Sequence, residues 1–233
     1  MAVIKSFISG GAIGADSLFG VIGEERNISV YHMSFPLHNC VGVGNRVILS
    51  SAKLELRKSD LDKVRKLLGK KPSRNPYVEN LMLRNMFQIK SVNGNLSDLV
   101  IAVAKIKRTG NSWKFVEGGT GYAVCYAMLN RVPVIVLDPT DNRFYYYNYE
   151  EKTFMLLGNK HINSVIPHKD NLVITGIGSR DINSEIIKPR IDKLIDFILG
   201  EDKHEEPISV AEPKIYNLPD EEVPVPMVQG TLY

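Results

Sequence analysis

Three glycine-rich segments constrain what this chain can fold into: SGGAIGAD at 9–16, EGGTGYAV at 117–124 and GIGSRD at 176–181. Each comes after an apolar run and before a stretch with helical patterning. Glycine lets the backbone approach a ligand closely, and the first amides of a helix are unpaired and carry partial positive charge. Together they make a site suited to an anion such as phosphate. In open α/β sheets such loops gather at the carboxyl edge of the strands. One loop of this kind is as readily a tight strand-to-helix turn, but three in one chain point to a ligand cradle.

The remaining pattern supplies the strands and helices around these loops. Residues 3–8 read as a strand ending in Ser9-Gly10-Gly11, residues 16–25 as a helix, and 28–32 as a second strand. That is the minimal parallel crossover unit. A short strand is predicted at 47–49, and a helix at 60–68 with Ser59 as its cap. A further helix at 76–89 has proline near its first turn. The run 99–103 is a buried-type strand, and 105–114 is a polar excursion read as a hairpin or loop. A helix follows Gly118-Gly119-Thr120-Gly121, then a strand at 132–137, an antiparallel hairpin at 143–148 and 153–157, and a last strand at 172–175. The final helix runs to Leu199, with Pro189 near its start or kinking it. The pattern predicts a Rossmann-like α/β domain over 1–200, a parallel sheet with helices on both faces plus a small antiparallel hairpin. Residues 201–233 form an acidic, proline-rich tail without periodicity, expected to add little to the core.

Composition narrows the function classes. The chain has 233 residues, 44% hydrophobic and 24% charged, enough apolar material for one ordinary core. Lys plus Arg is 29 against 26 acids, a net charge of +3 that does not call for nucleic acid. Lys105, Lys107, Arg108, Lys114 and the basic loop at 70–74 read as solvated surface. Cys40 and Cys125 support neither a disulfide framework nor a zinc site, so no metal and no cofactor is expected. The first residues, MAVIKSFISGG, make a poor signal peptide, and no stretch approaches the ~18 apolar residues of a membrane helix. The expected location is cytoplasmic, without a membrane partner. A homo-oligomer is compatible with the sequence, which does not fix the copy number.

The motifs resemble those of the SLOG superfamily of Rossmann-like folds. This group includes the DNA-processing protein A, the Lonely Guy cytokinin-activating hydrolases and nucleotide-sensing modules of antiviral systems. SGGAIGAD looks like the superfamily signature, and GIGSRD looks like its first-strand turn. EGGTGYAV, preceded by LSDLVIAV, resembles the Lonely Guy strand followed by PGGxGTxxE. ENLMLRNMFQI resembles that family's Arg-Lys helix, with Arg84 on the arginine and Asn85 where lysine would stand. The motif order differs, because the SGGA turn opens this chain and the GSR turn nearly closes it. That order resembles a circular permutation.

Ligand contacts are accordingly expected from Ser9, Gly10, Gly11, Ala12, Gly14 and Asp16, from Gly118, Gly119, Thr120 and Gly121, and from Gly176, Gly178, Ser179 and Arg180. Arg84 and Asn85 are expected in the same cleft. Arg84 should grip a phosphate or carboxylate there, and its loss should weaken binding while leaving thermal stability nearly intact. His32 and Ser34 follow the second strand within reach of its end, as does His38, although a surface or satisfied structural histidine is the more ordinary reading of such a position. Asp138 ends a strand, where it would take a ribose hydroxyl or cap a turn. Asp98 reads as a turn cap, Tyr145, Tyr146 and Tyr147 as packing residues, and Trp113 as a pocket cover or self-contact.

Three functions follow. The first is a binder of a phosphorylated nucleotide-type small molecule: an ADP-ribose-like ligand, a cyclic nucleotide or a nucleoside monophosphate. The second is an N-glycosidic-bond enzyme, such as a nucleotide phosphoribohydrolase or a nucleoside deoxyribosyltransferase-like protein. The third is a DNA-handling protein, which the near-neutral charge disfavours. An enzyme of the second kind needs a carboxylate at the sugar carbon. The resemblance sets its glutamate where this chain has Cys125, leaving Glu117 and Glu79 as the candidate catalytic carboxylates.

Overall fold

A computed structural model describes residues 3–109 and 112–201. It has an eight-stranded sheet with helices on both faces. The first unit is β1 (Ile4–Ser9), α1 (Ala15–Glu25) and β2 (Ser29–Ser34). There follow β3 (Asn45–Ile48), α2 (Ser51–Glu55), α3 (Lys58–Leu68), α4 (Pro76–Ile89) and β4 (Leu99–Val103). A separate antiparallel pair, β5 (Ile106–Thr109) and β6 (Ser112–Val116), precedes α5 (Thr120–Leu129) and β7 (Val134–Asp138). The chain continues through β8 (Arg143–Asn148), β9 (Thr153–Leu156), α6 (Asn159–Val165), β10 (Leu172–Gly178) and α7 (Ser184–Leu199).

The sheet order is β3-β2-β1-β10-β4-β7-β8-β9. All pairings from β3 through β7 are parallel, and the β8–β9 hairpin adds antiparallel strands at one edge. Read from β10 as its first strand, the six parallel strands have the order 4-3-2-1-5-6, and without the edge strand β3 this is the 3-2-1-4-5 order of the doubly wound folds. The break in direction of that order lies between β10 and β4.

Strand sequence explains the two layers. LVIAV in β4 and VIVLD in β7 are buried on both faces, as parallel strands between helices must be. Val100, Ala102, Val134 and Val136 face a core shared with α2, α3, α4 and α5. Leu99, Ile101, Val103, Ile135 and Leu137 face a second core under α1, α6 and α7. On that side Phe19 meets Phe7 edge-on at 5.9 Å, and Gly176 of β10 lies under its ring. A Cβ at Gly176 would come within 2.1 Å of Phe19 Cγ, so this glycine serves helix-on-strand packing inside β10 and not a ligand turn.

Several helix boundaries follow from local chemistry. Asn75 accepts from Tyr77 N at 2.9 Å and Pro76 occupies the first turn, which starts α4. Asn183 caps α7 in the same way, and the helix continues through Pro189, whose missing N–H leaves the Glu185 carbonyl without its helical donor. Ser59 does not cap α3: the helix already begins at Lys58. Asp98 ties β4 to β10, accepting from Val173 N at 2.8 Å. Among the described residues no helix is long and apolar enough to cross a membrane. The tail beyond Glu201 and the side chains of Arg108 and Trp113 lie outside the described part of the chain.

Candidate functional site

The carboxyl ends of β1 and β10 and the helix α4 meet at one point of the sheet edge, and Asp16 is the residue that joins them. Its position in the first turn of α1 sends the carboxylate back over the strand ends. Oδ1 accepts from Gly178 N at 2.9 Å, and Oδ2 accepts from Arg84 Nη1 at 3.1 Å. The two side chains are 5% and 4% exposed, so this is a desolvated ion pair held by more than Coulomb attraction. Ser9 Oγ donates to the Asp16 carbonyl at 2.7 Å. Gly10 must be glycine for the pair to exist, because a Cβ there would sit 1.5 Å from Arg84 Nη1. Arg84 Nε is buried without a hydrogen-bond partner among the described residues.

The three glycine segments converge here but play different parts. Gly14 has φ 97°, and Ala15 N donates to Ser179 O at 3.1 Å, so the GIGSRD turn itself covers the start of α1. The start of α5 is more open. Gly118 has φ 69° and open space around it, no side chain caps the helix, and Gly118 and Gly119 are exposed while Thr120 is buried. Asn85 Nδ2 donates to Gly119 O at 3.0 Å and ties this turn to α4. Gly121 packs against β6, where a Cβ would come within 2.5 Å of Val116 O. Gly118 thus follows a strand of the separate hairpin, since β5 and β6 are inserted between β4 and α5.

Between these parts lies a cleft of about 570 Å³, the size range of small-molecule sites. Ala12, Asp16, Gly178, Ser179, Arg180 and Asp181 form one wall, and Gly118, Gly119 and Thr120 form another. Helix α4 contributes Arg84 and Asn85 and an apolar strip of Tyr77, Val78, Leu81 and Met82. Sequence reasoning missed that strip and Asp181. The spacing 77, 81, 85 and 78, 82 was its signal, since it places polar and apolar contacts on one helical face. Arg180 is exposed, and among the described residues its side chain has no salt-bridge partner, whereas Arg84 is paired with Asp16.

Other expected residues stand elsewhere. His32 is fully buried, with Nε2 donating to Val43 O at 2.8 Å, and burial pulls its pKa down. Its ring is wedged by Gly11 and Gly42, so it supports the 40–44 loop and does not line the cleft. Ser34 Oγ lies 3.0 Å from His38 Nδ1 and accepts from Arg46 Nε at 3.2 Å, also outside the cleft lining. Burial, with Arg84, Arg46 and Arg180 nearby, brings His38 down to about 4.

The candidate carboxylates are also placed away from the cleft. Asp138 takes the cap role: Oδ2 accepts from Ile106 N at 2.9 Å and Oδ1 from Thr140 N at 2.9 Å. Glu79 is held by Arg65 of α3 through both oxygens and also accepts from Ser73 N. Glu117 is exposed and borders a separate hollow with Lys105, Lys107 and Asp138. Cys125 is completely buried and its thiol is pushed up to about 12, so it stays protonated. The carboxylates that line the cleft are Asp16, already paired, and Asp181, which is exposed.

Comparisons with protein-family models, curated proteins and solved structures find no match to this chain.

Proposed function

We propose that this chain binds a phosphorylated nucleotide-type ligand in the cleft beside the ends of β10 and β4. The observation that carries the reading is the coincidence of that cleft with the break in strand order, where doubly wound sheets bind their ligands. The chemistry of the walls agrees. The exposed Arg180 guanidinium, without a salt bridge among the described residues, and the start of α5 suit phosphate oxygens. The apolar strip from Tyr77 to Met82 suits the face of a base. ADP-ribose-like molecules, cyclic nucleotides and nucleoside monophosphates all fit this description, in keeping with the SLOG resemblance of the motifs.

The reading favours retention over turnover. An oxocarbenium-like sugar requires a carboxylate beside the breaking bond. Glu79 is bound to Arg65, Glu117 lies in another hollow and Asp16 is bound to Arg84, which leaves the solvent-exposed Asp181 as the other carboxylate of the cleft lining. The direct test is mass spectrometry of small molecules released from purified, denatured protein, followed by calorimetry with a panel of nucleotides. A nucleotide released in stoichiometric amount, or micromolar binding of one of the panel, is the expected result. No released nucleotide together with no binding across the panel would overturn the proposal.

A further inference from the structure

The sheet ends on one side at β3, and among the described residues no strand pairs with the outer side of β3. Leu49 N donates to Ser34 O at 2.8 Å, so the odd-numbered residues of this strand turn their backbone groups toward β2. Those groups alternate in direction along a strand, which leaves the N–H and C=O of Arg46 and Ile48 facing outward. Natural edges are guarded by charge, proline or a bulge. Here the one charged side chain of the strand is turned inward: Arg46 Nε donates to Ser34 Oγ at 3.2 Å and Nη2 to the His38 carbonyl at 2.7 Å. Two residues on, Ile48 is 49% exposed on the same face. At the other end of the sheet, β9 packs against β6.

The surface beside this edge is apolar. Val41 and Val43 are 46% and 43% exposed, and they share a groove of about 550 Å³ with Val21 of α1. Val43 lies across Gly20 of α1, against His32, and Arg46 stands beside His32 in register. The exposed valines, Arg46 and Ile48 therefore lie on one face of the sheet. A stable interface takes roughly 800 Å² from each partner. A four-residue strand supplies part of that, and Ile48, Val41 and Val43 continue it.

We infer that this chain forms a two-fold dimer through β3, the two sheets joining antiparallel with Val47 on the axis. An axis perpendicular to the sheet keeps each side chain on its own face, so it must pass through a residue. With Val47 there, Arg46 stands opposite the partner's Ile48, and Ile48 opposite the partner's Arg46. These are the residues whose backbone groups face outward, so each pair exchanges both of its N–H···O bonds. Ile48 then covers the aliphatic stem of the opposite Arg46, and the two Val47 side chains form a β-branched cross-strand pair. Centring on Arg46 would set like charges face to face. Centring on Ile48 would place Arg46 opposite Ser50, which caps α2 outside the strand. The dimer bears on the cleft without depending on its ligand. Val41 N and Gly42 N donate to Gly11 O at 2.8 and 3.1 Å, so the interface holds the loop that backs the SGGA turn.

The test is sedimentation equilibrium on the full chain and on Ile48→Lys and Ile48→Glu, with residue-resolved hydrogen exchange on the parent. Position 48 is half exposed in the single chain, so both variants should keep the parent's far-ultraviolet circular dichroism. The parent should sediment at micromolar concentration as a dimer of the 26.1 kDa chain. Ile48→Lys sets a cation opposite Arg46 and should weaken association at least tenfold. Ile48→Glu sets an acid there and should associate at least tenfold more tightly than Ile48→Lys. The Arg46 and Ile48 amides should exchange more slowly as the parent's concentration rises. A parent that stays monomeric at submillimolar concentration would overturn the inference. So would variants that associate equally, or a dimer in which the two amides exchange freely. Protection of those amides at every concentration would give the edge to another segment of the same chain, and the inference would fall.

Discussion

Asp16 and Arg84 stand 68 positions apart in the chain and 3.1 Å apart at the floor of the cleft. Arg84→Ala should therefore cost stability, against the expectation from sequence that the thermal transition would be nearly unchanged. Removing one partner of a buried pair costs about 3–5 kcal/mol. Chemical denaturation of Arg84→Ala, Asp16→Asn and the double variant should give a double-variant loss smaller than the sum of the singles. A strictly additive cycle would show that the two side chains do not depend on each other.

Arg180 should behave in the opposite way. It is exposed and has no salt bridge among the described residues, so Arg180→Ala should leave the stability within about 0.5 kcal/mol of the parent. Nucleotide affinity should fall about tenfold or more, equivalent to about 1.4 kcal/mol. Calorimetry on the two proteins checks this, and unchanged affinity would remove Arg180 from the site.

The glycines separate into two classes by what surrounds them. Gly176→Ala places a methyl into the Phe19 ring and should destabilise by about 1–3 kcal/mol, with unfolding measured in urea. Gly118→Ala meets open space, so only its φ of 69° opposes the change, at about 1 kcal/mol. A Gly118 variant as unstable as the Gly176 variant would contradict the open turn.

His38 predicts a pH dependence. Its folded pKa of about 4 lies below the usual 6.5, so between those values the unfolded chain binds the extra proton. Stability should fall as pH drops from 6.5 towards 4, with a slope of up to about 1.4 kcal/mol per pH unit from this group. His32, lowered by burial, acts in the same direction. Urea titrations across that range should show a shallower slope for His38→Asn than for the parent, and equal slopes would remove His38 as a source.

Turnover can be sought directly. Incubation with AMP, other monophosphates and NAD should release no free base by chromatography. Glu79→Gln should instead weaken the α3–α4 tie through Arg65, by about 2 kcal/mol. Sustained release abolished by Glu117→Gln or Glu79→Gln would make the chain an enzyme with a relocated carboxylate.

Much of the sheet could be read from local pattern. LVIAV has no polar break, so β4 matches the expected strand, and Pro76 marks the start of α4 as expected. The five-residue α2 and the seven-residue α6 carry too few turns to show a period, and neither was anticipated. At the site, the convergence of Gly10, Gly118 and Gly178 was anticipated, because each precedes a helix. What each side chain does there was less legible. Arg84 was expected to hold a ligand, but its partner Asp16 is brought to it only by the crossing of α1 and α4 over the strand ends. Glu79 is taken by Arg65 for the same reason, since α3 and α4 are neighbours only in space. His32 could be read as facing a ligand or the core, and only the glycines packed on its ring decide for the core.

The place of β10 also sets the order in which the molecule can be completed. This strand separates β1 from β4, yet it is made after both, and no other described strand joins the two halves. A nascent chain that has emerged through residue 170 can form β3-β2-β1 and β4-β7-β8-β9 as separate sheets with raw inner edges. Such edges invite mispairing. Closure then waits for one late insertion between distant segments, which makes refolding slow for its size. The same insertion carries Gly178 to Asp16, so ligand-binding competence should arise in a single step with the closing of the sheet.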